Sequence, residues 1–412
     1  DWGRLDMRFN LWEDCNRVPL TELLSFIVDN RGKTVPTAPS GHKLIATNCV
    51  TNNTLFPVYD KIRYLSEETY QTWFRAHPIP GDILFVNKGT PGRVCLVPDP
   101  VDFCIAQDMI ALRADESKIY PKYLFTVLRS REIQQQIYNT NVGDVIPHFK
   151  KQFLDQLLIP IPERSIQESI GDLYYVLSLK AERNKKINDN LYAQAKAIFD
   201  NHFINIDAIP AGWRKGNLLD IANYLNGLAM QKFRPQGHEI GLPVLKIKEL
   251  RQGSCDDSSE LCSLSIKPEY IIHNGDVVFS WSGSLLVDIW CGGTCGLNQH
   301  LFKVTSDVYD KWFYYLWTAH HLARFIAIAA DKATTMGHIK REELAKAEVL
   351  IPCEEDYTSF NSIMQPIFEL IISNRIESRK LAALRDELLP KLMTGEIDVS
   401  DVLDLIGTAD MD

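Results

Sequence analysis

Little in this 412-residue chain suits a membrane, an oxidising compartment or a self-contained catalyst. No run approaches the roughly 20 uncharged apolar residues that a bilayer span needs. The nearest, 313–330, is interrupted by His320, His321 and Arg324 and is expected to form a buried amphipathic helix. The opening Asp1-Trp2-Gly3-Arg4 has no charged-then-apolar leader, so no signal peptide is expected. The 9 cysteines suggest no disulfide framework in so large a chain, which points to reduced, mostly buried thiols and a cytoplasmic setting. Cys255, Cys262, Cys291 and Cys295 are not spaced as C-x2-C pairs, so no metal site is expected. No G-x4-G-K-[ST] loop is present, which excludes an encoded ATP motor. The Asn/Asp-Pro-Pro-aromatic element and Gly-rich loop of an adenine methyltransferase are also missing.

One loose pattern invites a nuclease. Pro98-Asp99 with Glu116-Ser117-Lys118 fits PD…E-x-K, in which two carboxylates hold Mg2+ and a lysine assists water. Pro98-Asp99-Pro100 reads as a turn and 113–120 as a charged loop, whereas nuclease carboxylates belong on adjacent buried strands. The chain is therefore read as non-catalytic. Basic residues are not in excess either: net charge is −9. Segments 1–162 and 211–352 are each neutral, 163–210 carries −1, and 353–412 carries −8. Bulk charge thus gives no support for a nucleic-acid partner, although a neutral block can still present a basic face.

What the chain does contain is a repeat with a period of about 190–195 residues. Leu23-Leu24-Ser25-Phe26-Ile27 matches Leu218-Leu219-Asp220-Ile221-Ala222, and Pro80-Gly81-Asp82-Ile83-Leu84-Phe85 matches Asn274-Gly275-Asp276-Val277-Val278-Phe279. Gln107 matches Gln299, His148 matches His338, and Leu158-Ile159-Pro160 matches Leu350-Ile351-Pro352. Constant order carries the inference, since each match alone is weak. Each copy opens with short strands, Gly/Pro turns and a few helices. It closes on a long apolar-periodic helix: Ile166, Ile170, Leu173, Leu177, Ile187, Leu191 and Ile198 in copy one, and Ile363, Ile367, Leu370, Leu381, Leu384 and Leu388 in copy two. Spacings of 3 and 4 over about five heptads predict a coiled coil; packing of each helix on its own globular part is the alternative. Lys180, Asn184, Gln194 and Asn201 fall on the first seam. Antiparallel pairing about a pseudo-twofold axis would bring Asn184 against Asn374, and Asn184→Leu would then raise stability while loosening register.

Several of these stretches resemble the specificity subunits of Type I restriction–modification systems. The resemblance lies in Gln194-Ala195-Lys196-Ala197-Ile198-Phe199-Asp200-Asn201-His202-Phe203, in Ile209-Pro210-Ala211-Gly212-Trp213 and in Gly275-Asp276 through Ser280-Trp281-Ser282-Gly283-Ser284. It continues in Gly296-Leu297-Asn298-Gln299-His300-Leu301-Phe302-Lys303-Val304 and in Leu388-Leu389-Pro390-Lys391-Leu392-Met393-Thr394-Gly395-Glu396-Ile397. Copy one departs, with Ile105-Ala106-Gln107-Asp108 where copy two has Leu297-Asn298-Gln299-His300.

The resemblance implies an α+β fold: two similar mixed target-recognition domains joined by two long helices in an antiparallel coiled coil. The expected division is 1–162 and 206–352 for the recognition domains, 163–205 and 353–400 for the spacer helices, and 401–412 for an acidic tail. It further implies double-stranded DNA, two methylation subunits and two restriction–translocation subunits as partners. S-adenosylmethionine, ATP and Mg2+ would reside on those partners, with no cofactor in this chain. A helix of about 39 residues is ~58 Å long, and readers on one face of B-DNA favour half-sites about 34 Å apart. Unlike copies imply unlike half-sites around an unspecified gap. Alternatives are a specificity module of another restriction–methylation system and a duplicated scaffold that binds only protein.

Base readout draws on Arg, Lys, Asn, Gln, Ser and Thr, and phosphate contact on Lys and Arg. Candidates in copy one are Arg31, Lys33, Thr34, Lys43, Asn48, Asn87, Lys88 and Arg93, followed by His148, Lys150 and Lys151. Those in copy two are Lys232, Arg234, Lys246, Lys248, Ser282 and Ser284, then Thr334, Thr335, His338 and Lys340. His300, with no partnering Cys, Ser or carboxylate motif, reads as structural or DNA-facing.

Overall fold

The computed structural model describes residues 10–30, 32, 34–140, 147–331 and 339–397. Two compact units emerge, one from residues within 1–182 and 380–412 and the other from 183–379. Unit 1 contains strands β1 (Asn16–Pro19), β2 (Leu24–Val28), β3 (His42–Ile45), β4 (Arg63–Leu65), β5 (Ile83–Val86), β6 (Val94–Leu96), β7 (Phe103–Ile105), β8 (Met109–Ala114) and β9 (Leu158–Ile161). Unit 2 contains β10 (Arg214–Asn217), β11 (Asn223–Asn226), β12 (Leu242–Leu245), β13 (Leu261–Cys262), β14 (Ile271–Ile272), β15 (Val277–Ser280), β16 (Leu286–Ile289), β17 (Cys295–Leu297), β18 (Leu301–Thr305) and β19 (Glu348–Ile351).

The same sheets recur in both units, with one added strand, β14, in unit 2. Unit 1 has the orders β2-β8-β5-β6 and β4-β3-β7 with the pair β1-β9. Unit 2 has β11-β18-β15-β16 and β13-β12-β17-β14 with the pair β10-β19. Directions agree too: β3–β7 and β12–β17 run parallel, and the flanking β3–β4 and β12–β13 antiparallel. The fold is α+β, as expected, and the halves share it.

A local turn shows why. Gly81 and Gly275 take φ of 87° and 88°, a left-handed conformation that favours glycine. The following aspartates lock it: Asp82 Oδ2 accepts the Ile79 N–H at 2.9 Å, and Asp276 Oδ2 accepts the His273 N–H at 2.8 Å. Each carboxylate also holds a cation from the neighbouring strand, Arg113 at 2.9 Å and Lys303 at 2.9 Å. The chain then enters β5 or β15, both wholly buried.

Two of the sequence matches shift. Leu20 N–H donates to Leu157 O, and Leu218 N–H to Ala347 O. The 3-10 turn Leu20–Leu23 therefore corresponds to the helical turn Leu218–Ile221, three residues before the apparent match. Pro19 pairs with Leu158 and Asn217 with Glu348, so Pro162, not Pro160, is the counterpart of Pro352. Copy one offers Ile-Pro twice, and only the strand ladder decides between them.

The first long helix, Arg164–Phe199, and the second, Glu354–Met393, each contribute to both units. In unit 1, Leu173 and Leu177 cluster with Leu381, Leu388 and Leu392, and Arg385 Nη1 donates to Ser178 Oγ at 3.4 Å. In unit 2, Asn184 pairs with Glu377, and Asn188 with Ile371 and Asn374. Ascending numbers meet descending ones, so the helices pair antiparallel. Asn184 does not meet Asn374. Asn184 Nδ2 donates to Glu377 Oε2 at 2.6 Å, and Asn374 Nδ2 donates to Asn188 Oδ1 at 2.9 Å, one turn further on.

The buried stripe also differs from the expected one. Ile187, Ile363, Leu370 and Leu384 are exposed, as are Lys180, Gln194 and Asn201. The inward positions include Ala195, Phe199, Met364, Phe368 and Ile371. In the second helix two apolar stripes lie one residue apart, and the bulkier one packs into the core of unit 2. The helix Lys311–Asp331 buries Trp312, Phe313, Leu316, Trp317 and Phe325 in that core, as expected of an amphipathic helix. Among the described residues no helix is long and apolar enough to cross a membrane.

Candidate nucleic-acid interface

In unit 1 three polar corners converge: Asn87-Lys88 after β5, Gln107-Asp108 before β8, and His148-Phe149. The backbone joins them, since Asn87 N–H donates to Asp108 O at 2.8 Å and Phe149 N–H to Asn87 O at 2.7 Å. Unit 2 repeats the joint, with Trp281 N–H on His300 O at 3.4 Å and Ile339 N–H on Trp281 O at 3.1 Å. Asn87 therefore corresponds to Trp281 and Asp108 to His300. The unit 1 corners enclose a cleft of about 310 Å³ lined by Gly32, Thr34, Asn87, Lys88, Gln107, Asp108 and His148.

Two features of this cleft are unusual. Gln107 takes a φ of 52°, a left-handed conformation that disfavours a residue with a Cβ by roughly 1–2 kcal/mol. Its Nε2 donates to Thr34 Oγ1 at 3.1 Å. Asn87 is 0% exposed; its Nδ2 donates to Phe149 O at 3.1 Å, while its Oδ1 meets no donor among the described residues. A buried acceptor left without a donor is destabilising. In unit 2, Gln299 Oε1 is likewise buried without a donor among the described residues. Ser282 Oγ lies 2.9 Å from His300 Nδ1, and Trp281 Nε1 donates to Asn226 Oδ1 at 2.9 Å.

The other sequence candidates disperse. Lys43, on β3, is paired with Asp102 and sits 4.5 Å from the Tyr59 ring centre. Against the upward push of burial, hydrogen bonds from Lys43 and the Tyr59 hydroxyl hold the Asp102 carboxyl below its usual range. Lys151 pairs with Asp29 at 3.2 Å. Arg234 and Lys246 share Glu260, the former at 2.9 Å; the Lys246 hydrogen bond leads in lowering that carboxyl's pKa. Lys248 donates to Ser258 Oγ at 2.9 Å and lies 3.8 Å from Asp256. Asn48 Nδ2 donates to Asp60 O at 2.7 Å. Lys88, Arg93, Lys150, Lys232 and Lys340 are exposed, and Ser282 is 5% exposed. Arg31, Lys33, Thr334, Thr335 and His338 lie outside the described residues. Among the described candidates, only Thr34, Asn87, Lys88 and His148 are drawn to one cleft.

Gln107 and Asp108 were not among the sequence candidates, though the Gln107–Gln299 repeat was a pointer to them. The PD…E-x-K pattern is not assembled. Asp99 and Glu116 line one cleft of about 320 Å³, but Lys118 donates elsewhere, to Glu22 O at 3.0 Å. Asp99 lies beyond β6 and Glu116 beyond β8, not on adjacent buried strands. Among the described residues no group of three His, Cys, Asp or Glu is placed to hold a metal ion.

Residues 25–193 match the Type I restriction modification DNA specificity domain. The chain carries this domain and is similar to Type I restriction enzyme specificity subunits. These subunits are the non-catalytic recognition component of Type I systems. It is 24% identical over 347 residues to the Type I restriction enzyme MjaIX specificity subunit of Methanocaldococcus jannaschii, covering 78% of this chain and 79% of that one. It is 19% identical over 398 residues to the HindI specificity subunit of Haemophilus influenzae, covering 77% and 86%. The crystal structure of a Type I S subunit from M. genitalium shares the fold, with a TM-score of 0.56 at 14% identity, over 93% of this chain and 98% of that one.

Proposed function

We propose that this chain reads an interrupted, asymmetric DNA target for a Type I restriction–modification complex in the cytoplasm. Residues 1–162 and 206–352 are the two readers, each taking one half-site. The segments 163–205 and 353–400 form the spacer that sets the gap, and 401–412 is an acidic tail. The observation that carries this reading is the recurrence of one sheet order, one turn and one backbone joint in both units of a chain that carries this domain. Similar readers of unlike side chains suit half-sites that differ. Asn87 against Trp281 and Asp108 against His300 are such differences.

Two methylation subunits and two restriction–translocation subunits complete the complex and carry S-adenosylmethionine, ATP and Mg2+. Exposed Ile363 and Leu370 lie seven residues apart on the second long helix and suit an apolar partner surface. Footprinting of the assembled methylation complex tests the reading: two protected blocks should flank an unprotected-sequence gap. Removing one heptad from each long helix should change the gap and keep both half-sites. Protection of no sequence would favour a protein-only scaffold, and altered half-sites would refute the ruler.

A further inference from the structure

We infer that the cleft of unit 1 receives the edge of a nucleobase, and that Gln107 is the side chain that selects it. This rests on the DNA-reading function proposed above and names where within one reader the selection occurs. The cleft's chemistry argues for a base rather than a phosphate. Lys88 and His148 share the lining with the Asp108 carboxylate, which would repel a phosphate. A mixed set of donors and acceptors matches a neutral base edge. Gln107 presents an amide, whose paired donor and acceptor match the N6 amine and N7 of adenine in the major groove.

The held geometry points the same way. Gln107 keeps a left-handed backbone that glycine or asparagine would adopt more readily. Among the described residues its side chain is tied to Thr34 Oγ1 at 3.1 Å, which lines the same cleft. Strained backbone that persists without relief by sequence clusters at functional sites. In the wall, the buried Asn87 carbonyl meets no donor among the described residues, so an arriving amine would find an acceptor if the Gln107–Thr34 pair parts. Gln299 stands at the same place in unit 2, also with a buried carbonyl that meets no donor among the described residues. It is flanked by His300 and Trp281 in place of Asp108 and Asn87. The shared glutamine and the differing neighbours would let each reader ask a similar question with a different answer.

The test maps methylated adenines genome-wide in a host that expresses the chain with its methylation and restriction partners. The informative variant is Gln107→Gly, because glycine accepts the left-handed backbone while the amide is deleted. Gln299→Ala serves as its counterpart in unit 2. Gln107→Gly should relax one base position in one half-site, lowering discrimination there about 10–100-fold, with the other half-site unchanged. Gln299→Ala should do the reverse. Gln107→Asn, which tolerates the same backbone, should shift or weaken the preference at that same position. An unaltered motif in Gln107→Gly overturns the inference, as does a uniform loss of methylation with no position relaxed. Absence of a two-part motif in the unmodified complex would instead sink the DNA-reading proposal itself.

Discussion

The seam between the long helices offers a prediction whose size follows from named atoms. Asn374 Nδ2 donates to Asn188 Oδ1 at 2.9 Å, and Asn188 Nδ2 donates to Ile371 O at 3.1 Å. Asn374→Leu removes the donor and leaves the half-buried Asn188 carbonyl short of a partner. Stranding a fully buried group costs about 1–3 kcal/mol, so partial exposure at this seam brings the loss to about 1 kcal/mol. Asn188→Leu removes a donor and an acceptor together and should lose about 1–2 kcal/mol. The double leucine variant strands neither amide and adds two apolar side chains to the seam. Burying a leucine contributes about 1.5–3 kcal/mol, roughly halved here, so the double variant should equal or exceed the parent. The coupling between the two sites is then at least about 2 kcal/mol, within the usual range for residues in contact. Urea unfolding followed by tryptophan fluorescence reads this directly, because Trp213, Trp281, Trp290, Trp312 and Trp317 all belong to unit 2. The slope with denaturant should stay constant. Additive single effects would mean that the two asparagines do not meet, and the helix register described above would be wrong.

Other outcomes follow from the same geometry. Asn184→Leu should destabilise by about 1–3 kcal/mol, since it removes a hydrogen bond to the Glu377 carboxylate; a gain in stability would restore the facing-asparagine arrangement. Asp288→Ala should cost about 2–3 kcal/mol, below the range for a fully buried pair, because it leaves Arg375 without the bidentate contacts of 2.9 and 2.6 Å that fix β16 to the second long helix; a thermal shift under 1 °C would refute that anchoring role. Lys246→Glu with Lys248→Glu should weaken DNA binding by the complex and reduce its salt slope by about 1 for each phosphate that is no longer neutralised. Unchanged affinity and slope would remove both lysines from the interface. Burial lowers the pKa of His77, His320 and His321. Below their ordinary value of 6.5 the unfolded chain therefore binds protons that the folded chain does not. Stability should hold above pH 6.5 and fall as pH drops beneath it; a flat profile from pH 7 to 5 would contradict this.

The turn at Asp82 and Asp276 was legible in the sequence because its glycine, its aspartate and the strand it feeds are contiguous. The repeat's register was less so. Tandem Ile-Pro pairs in copy one and an apolar run around Leu23 allow slips that only the ladder and the Leu20–Leu157 hydrogen bond resolve. In the long helices the period was visible, but the inward stripe was not. Ile363 and Met364, or Ile367 and Phe368, satisfy the same spacing, and the core of unit 2 selects the bulkier set. The candidate interface was hardest to read. Lys43 and Asp102, Lys151 and Asp29, and Arg234 and Glu260 are far apart in the chain yet paired in space. A basic residue in a loop is therefore a weak guide to DNA contact, since an acidic partner elsewhere already holds it. Gln107 was visible as a repeat mark, whereas its left-handed backbone and the cleft beside it needed the fold.

The central claim is that one chain holds two related readers, each responsible for half of one DNA target. Mapping methylated adenines in a host that carries the unmodified chain with its partner subunits tests this most directly. The account predicts one motif of two specified, non-identical blocks at a fixed separation, with the bases between them unspecified. A single continuous motif, a palindrome or two independently occurring blocks would contradict it.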